Sequence, residues 1–155
     1  MKRNIWMSCM LLVGLLLFTV SQTPAQVVLS EDFENGGTIP DGWTQEYVNG
    51  SVDWTFGTGG ESNGEPSSAY EGSYNARFYD GSYQNYTTRL ITPAINLGIY
   101  TGATLTFQLY MADWAGDQDT LKLYYKTSSG GSWTLLDSWN TSITSWTKQT
   151  IQLPN

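Results

Sequence analysis

The eighteen residues from Asp119 to Leu136, DTLKLYYKTSSGGSWTLL, decide the fold. Leu121, Leu123 and Tyr125 alternate with Lys122, Tyr124 and Lys126, the period-two pattern of a half-buried antiparallel strand. Ser128-Ser129-Gly130-Gly131 offers glycines for the φ > 0 positions of a tight reversal, and a second strand is expected to open on Trp133.

On the N-terminal side of this hairpin, Ala103 to Met111 is the clearest core strand. Leu105, Phe107, Leu109 and Met111 point one way, and Thr104, Thr106, Gln108 and Tyr110 the other. With Leu121, Leu123 and Trp133 these apolar residues are the expected core. Trp146 to Leu153 reads as a last strand with Ile151 and Leu153 inward. Further upstream, Asn75 to Tyr79 and Tyr86 to Ile91 read as strands, the second stopped at Thr92-Pro93 because proline cannot donate to a ladder. Asn49-Gly50 predicts a hairpin between Thr44 to Val48 and Val52 to Phe56. Val27 to Phe33 reads as a first strand with Val27, Leu29 and Phe33 inward. No stretch after residue 25 carries the three-four spacing of an amphipathic helix, so the fold class is all-β and antiparallel. Gly57 to Ser68, rich in Gly, Ser, Glu and Asn, is a surface loop long enough to be functional.

The first 25 residues read as an export signal. Lys2 and Arg3 precede an apolar run from Leu11 to Val20 that is too short to span a bilayer, and Thr23-Pro24-Ala25 offers a cleavage site. A secreted or cell-surface location follows, with one domain over residues 26 to 155 and no membrane insertion after cleavage. The only cysteine, Cys9, leaves with the signal, so the mature chain has no disulfide. Five basic residues then face fourteen acidic ones, a formal charge of −9, against −7 for the whole chain. Phosphate backbones and anionic membranes are repelled by such a chain, which excludes nucleic acid as a partner and leaves cations and neutral polymers.

The chain contains no histidine, which removes Ser-His and Cys-His nucleophiles and histidine-based zinc sites. Pairs of carboxylates are the remaining catalytic resource, and fourteen acidic residues make such pairs inevitable without a structural context. Hard oxygen ligands at short spacing suit calcium better. Glu31, Asp32 and Glu34 crowd one strand end. Asp117 and Asp119 stand two apart in Ala115-Gly116-Asp117-Gln118-Asp119. The same residues also read as solvated strand ends that keep an acidic protein soluble.

Together with Glu31-Asp32-Phe33-Glu34 and Pro40-Asp41-Gly42-Trp43, the Asp119 to Leu136 hairpin resembles the cleaved-adhesin or choice-of-anchor J family, relatives of MAM domains. The resemblance implies a secreted, non-catalytic jelly-roll β-sandwich. It also implies structural Ca²⁺ held by Glu34 and Asp119, with Asp32 and Asp117 second, and it places Trp43, Trp54 and Trp133 in or beside the core. Further strands close the sheet in that family, the last with an Asp-Asp-Val-like motif that this sequence lacks before Asn155. The chain therefore reads as a sandwich incomplete at its C-terminus, with further domains of the same polypeptide expected beyond Asn155.

Six tryptophans and ten tyrosines follow the signal. Exposed flat rings stack on sugar faces and enrich protein interfaces. Trp114, in the loop after the core strand, and Tyr83 and Tyr86, flanking Gln84-Asn85, are the candidate ligand contacts; a rim aromatic folded onto the sandwich is the alternative for each. Asn49, Asn85 and Asn140 open N-glycosylation triplets. The functional expectation is an adhesion or ligand-binding module whose partners are glycans or extracellular surface proteins. A carbohydrate-binding or accessory domain of a larger secreted peptidase or glycoside hydrolase, and a structural spacer, are the alternatives.

Overall fold

The computed structural model describes residues 25–61, 64–82, 84–98 and 100–154. Eight strands are present: β1 (Thr44–Asn49), β2 (Trp54–Gly57), β3 (Asn75–Phe78), β4 (Thr87–Ile91), β5 (Thr104–Met111), β6 (Leu121–Tyr125), β7 (Thr134–Trp139) and β8 (Ile143–Gln152). Among the described residues there is no helix, and all pairing is antiparallel. The signal segment expected over residues 1–25 lies, except for Ala25, outside the described residues.

Pairing is nested. β1 pairs with β4 around the β2–β3 pair, and β5 pairs with β8 around the β6–β7 pair. The Asn49-Gly50 hairpin expected between β1 and β2 is therefore not formed. Gly50 has the left-handed φ of +80° that such a turn uses, but Tyr86 packs against it and β1 goes on to the far strand β4. β2 is still held beside β1, through a side chain: the Gln45 amide accepts from the Trp54 N–H at 2.7 Å and donates to the Trp54 carbonyl at 3.1 Å.

The first strand expected over Val27 to Phe33 is also absent, and Val27 is 74% exposed. Its carboxylates take the backbone donors that a ladder would need. Glu31 accepts from the Phe33 N–H at 2.7 Å and Asp32 from the Glu34 N–H at 3.0 Å, turning the chain so that Phe33 sits at φ +63°. Phe33 nonetheless points inward, its ring 5.7 Å from both Trp43 and Phe56.

The decisive hairpin forms as β6 and β7, with Leu121, Leu123 and Tyr125 half-buried. Its connection, residues 126–133, is wider than a two-residue turn: Gly131 N–H bonds the Ser128 carbonyl at 3.1 Å, and neither Gly130 nor Gly131 uses positive φ. Trp133 precedes β7 instead of opening it. Two cations approach its ring, Lys126 Nζ at 4.4 Å and the Arg89 guanidinium at 5.5 Å, and the second ties β4 of the first half to the second half.

β5 and β8 run in continuous register from Thr104–Gln152 to Leu109–Thr147. The alternation read in β5 holds, with Leu109 buried, Leu105, Phe107 and Met111 half-buried, and Thr104 and Thr106 exposed. Phe107 meets Trp139 of β7 edge to face at 5.5 Å, and the Trp139 indole donates to Gln149 of β8 at 3.2 Å. Burial is shallow throughout. Phe56, Ala69 and Leu109, with Pro40, are the buried apolar side chains among the described residues, and Trp43, Trp54 and Trp133 are half-buried. Two buried polar residues are satisfied: Thr88 donates to the Val52 carbonyl, and Asn75 bonds both backbone groups of Gly59. Asn75 thereby pins the Gly57 to Ser68 loop from beneath, while Arg77 holds it from the side through Glu61 at 2.6 Å and the Gly60 carbonyl at 3.1 Å.

Candidate functional site

β5 ends at Met111, and three residues later the chain reverses in a tight turn. Trp114 N–H bonds the Asp117 carbonyl at 2.9 Å and Asp117 N–H bonds the Trp114 carbonyl at 2.8 Å, closing a two-residue hairpin. Both central residues, Ala115 at φ +51° and Gly116 at φ +90°, are left-handed, the backbone that a right-twisted two-residue hairpin requires. Asp113 braces the base. Its carboxylate accepts from the Gly116 N–H at 3.1 Å, and its own N–H donates to Ser142 Oγ at 3.2 Å in the β7–β8 connection. The hydrogen bond from Ser142, followed by the Gly116 amide, holds the Asp113 carboxyl below its usual range. The result is a braced hairpin that presents Trp114 70% exposed.

Asp117 closes this hairpin and Asp119 lies just beyond it. Burial, then the neighbouring charges of Asp117 and Asp80, push the Asp119 carboxyl above its usual value. Asp80 comes from the segment after β3 and was not legible as a site residue. It stays ionised more readily than usual because Ser82 Oγ donates to it, as do the Ser82 N–H at 2.8 Å and the Gln84 N–H at 3.3 Å. Between the two aspartates, Gln118 has a buried side-chain oxygen with no hydrogen-bond partner.

Glu34 and Asp32 are engaged elsewhere. Glu34 Oε1 accepts from the Ser73 and Tyr74 N–H groups, each at 2.7 Å, and fastens the N-terminal segment to the chain entering β3. Gly72, at φ +67°, lies so close to this carboxylate that any Cβ would collide with it. Asp32, Glu34 and Glu71 line an open cavity of about 480 Å³ together with Ser30 and Gly72. Among the described residues no three carboxylates are gathered closely enough to share one ion.

Of the other aromatic candidates, Tyr86 is half-buried against Gly50, and Tyr83 lies outside the described residues. Three rings not singled out by sequence do come together. Trp146 of β8 meets Tyr110 of β5 at 5.8 Å and Tyr70 at 6.3 Å, both near edge to face. Comparison of the chain with protein-family models, with curated proteins and with solved structures finds no match.

Proposed function

We propose that the chain is a non-catalytic extracellular recognition module that binds through the rim hairpin carrying Trp114. The observation behind this reading is the pairing of extreme exposure with a rigid mount: a tryptophan 70% exposed on a hairpin closed by two backbone bonds and braced by Asp113. A ring held in this way binds with little loss of side-chain entropy, while its exposure contributes little to folding. The absence of histidine from the sequence supports a binding role over nucleophilic catalysis. The export-like N-terminus and acidic balance favour glycans or extracellular surface proteins as partners.

The architecture that fits this role is a jelly-roll β-sandwich, supported by the two nested sets of antiparallel strands, by the β5–β7 contact within the second set and by the β4–β6 side-chain contact between the sets. Calcium belongs to the same proposal. Asp117 and Asp119 would hold the ion beside the unpartnered Gln118 oxygen, and a cation would offset the burial and the neighbouring charges that raise Asp119. Glu34 and Asp32 then serve first as backbone clamps.

The test is a glycan array and a panel of extracellular matrix proteins probed with the native chain and with Trp114→Ala. Loss of a specific signal with an unchanged melting curve supports the reading. Binding that is indifferent to Trp114 refutes the assignment of this rim.

A further inference from the structure

The β5–β8 ladder has two faces. Leu105, Phe107 and Leu109, with Ile151 opposite Leu105, form the face turned toward Trp139 of β7. The other face carries a different chemistry. In a ladder, directly opposed residues share a face, so Thr104 with Gln152, Thr106 with Thr150, and Gln108 with Lys148 make three successive polar rungs. All of these except half-buried Gln108 are exposed. The fourth rung is aromatic: Tyr110 meets Trp146 at the end of the row, where the register changes between the Leu109–Thr147 and Met111–Ile143 pairs. At about 3.4 Å per residue, the row from Thr104 to Tyr110 runs for roughly 20 Å.

The aromatic end is fixed in place. The Trp146 indole N–H is committed to the Ser68 carbonyl at 3.2 Å, and Tyr70, 56% exposed, stands against the Trp146 ring. Burial and then the adjacent Glu65 carboxylate push the Tyr110 phenol above its usual pKa, which places an anionic acceptor beside the rings. Glu65 also lines a cavity of about 240 Å³ with Thr58, Ser67 and Pro66. At the opposite end, the Gln152 amide is held by Thr104 at 3.2 Å and by the Ala103 carbonyl at 2.8 Å.

From this arrangement we infer that the outer face of the β5–β8 ladder is an extended binding site for a neutral polysaccharide, running from the Tyr70–Trp146–Tyr110 rings to Gln152. The inference deepens the recognition reading above, on which it rests, by naming a ligand class and a surface separate from Trp114. Rings at one end offer apolar faces to the C–H side of a sugar. The hydroxyl and amide rungs, and the Glu65 carboxylate, meet the hydroxyl edge. A peptide partner would require apolar pockets for anchoring side chains, and these rungs supply none. Polyanionic glycans are opposed by Glu65 and by the net charge of −7, against which Lys148 is a single cation.

Affinity electrophoresis of the full chain through gels containing xylan, mannan, hydroxyethylcellulose or mixed-linkage β-glucan tests the inference, with heparin and gelatin gels run beside them. At least one neutral polymer should retard the native chain. Tyr70→Ala and Thr150→Glu, both at exposed positions, should each weaken that retardation about tenfold with unchanged circular dichroism. Trp114→Ala should leave it intact. No retardation by any neutral polymer, retardation by heparin or gelatin alone, or retardation unaffected by both face variants would overturn the inference. Retardation lost only in Trp114→Ala would also overturn it, while leaving the rim reading standing; loss only in the face variants would uphold it, the rim being tested separately on the matrix-protein panel.

Discussion

The carboxamide of Gln45 pairs with the backbone of Trp54 as a neighbouring strand would, accepting from its N–H at 2.7 Å and donating to its carbonyl at 3.1 Å. Trp54 in turn sends its indole N–H to the Thr88 carbonyl of β4 at 2.8 Å and its ring against Phe78 at 5.5 Å. The Gln45 and Trp54 side chains thus join β2 to β1 and to β4, where no ladder does. Replacing Gln45 by Leu leaves two part-buried backbone groups unpaired. The expected loss is about 1–3 kcal/mol, read from the urea midpoint, and Gln45→Glu should lose less because only the donor is removed.

Leu109 and Phe107 should differ in a way their adjacency in the pattern conceals. Leu109 is buried and its truncation to Ala is expected to cost about 2–4 kcal/mol. Phe107 is half-buried, with Trp139 as its ring partner, so Phe107→Ala should cost less than the roughly 3–5 kcal/mol of a fully buried phenylalanine. Equal costs in thermal denaturation would contradict the asymmetric burial.

The aspartates predict opposite responses to acid. Asp119 has a raised pKa in the folded chain, so its protonated form is the one folding prefers. That contribution is fully present below the unfolded value of about 3.8 and lost as pH rises through the folded value. Asp119→Asn should therefore raise the melting point at pH 7 in a chelator, with the advantage vanishing toward pH 3. Asp80 and Asp113 have lowered values, and their stabilisation is present above the unfolded pKa and lost as pH falls through the folded one. Asp113→Asn should flatten the acid limb of the melting-point curve.

Calcium should raise the melting point of the native chain, since a ligand of the folded state stabilises it by mass action. Asp119→Asn should reduce that rise. Glu34→Gln keeps an oxygen acceptor for Ser73 and Tyr74, and its effect on the rise separates a ligand from a clamp. A melting curve unmoved by millimolar calcium, in both the native chain and the chelated control, would remove the metal.

Replacing Gly116, at φ +90° in open space, by Ala should strain the Trp114 hairpin and lower binding through that rim before it alters the melting point. Hydrogen exchange at the Trp114 and Asp117 amides would register the loosening directly.

Strands were legible wherever alternation was strong, as in β5 and β6, because one half-buried face imposes a period of two. Pair choice was less so. Asn49-Gly50 carries the local signal for a hairpin, yet β1 finds β4, and nothing near the turn records the Gln45 amide that lets β2 sit alongside unladdered. Glu31 and Asp32 look like ligands from sequence for the same reason that they break the expected strand: short acidic side chains reach nearby backbone donors. The exposure of Trp114 followed from its place beyond β5. Tyr110 was correctly set on the outer face, but its partners Trp146 and Tyr70 reach it only through long-range pairing and the pinned Gly57 to Ser68 loop.

Nested pairing also sets an order of assembly. β6 and β7 are separated by the short 126–133 connection, while β5 and β8 must close over 112–142. Formed first, the inner hairpin shortens the effective loop its outer pair has to close, an entropic relief of about 1 kcal/mol by the logarithmic dependence on length. The first half repeats the scheme with longer spans, 58–74 inside 50–86, so it is the slower half to mature. During synthesis such a chain emerges with its late-closing half leading, leaving unpaired strand edges exposed to neighbours until the faster half has followed.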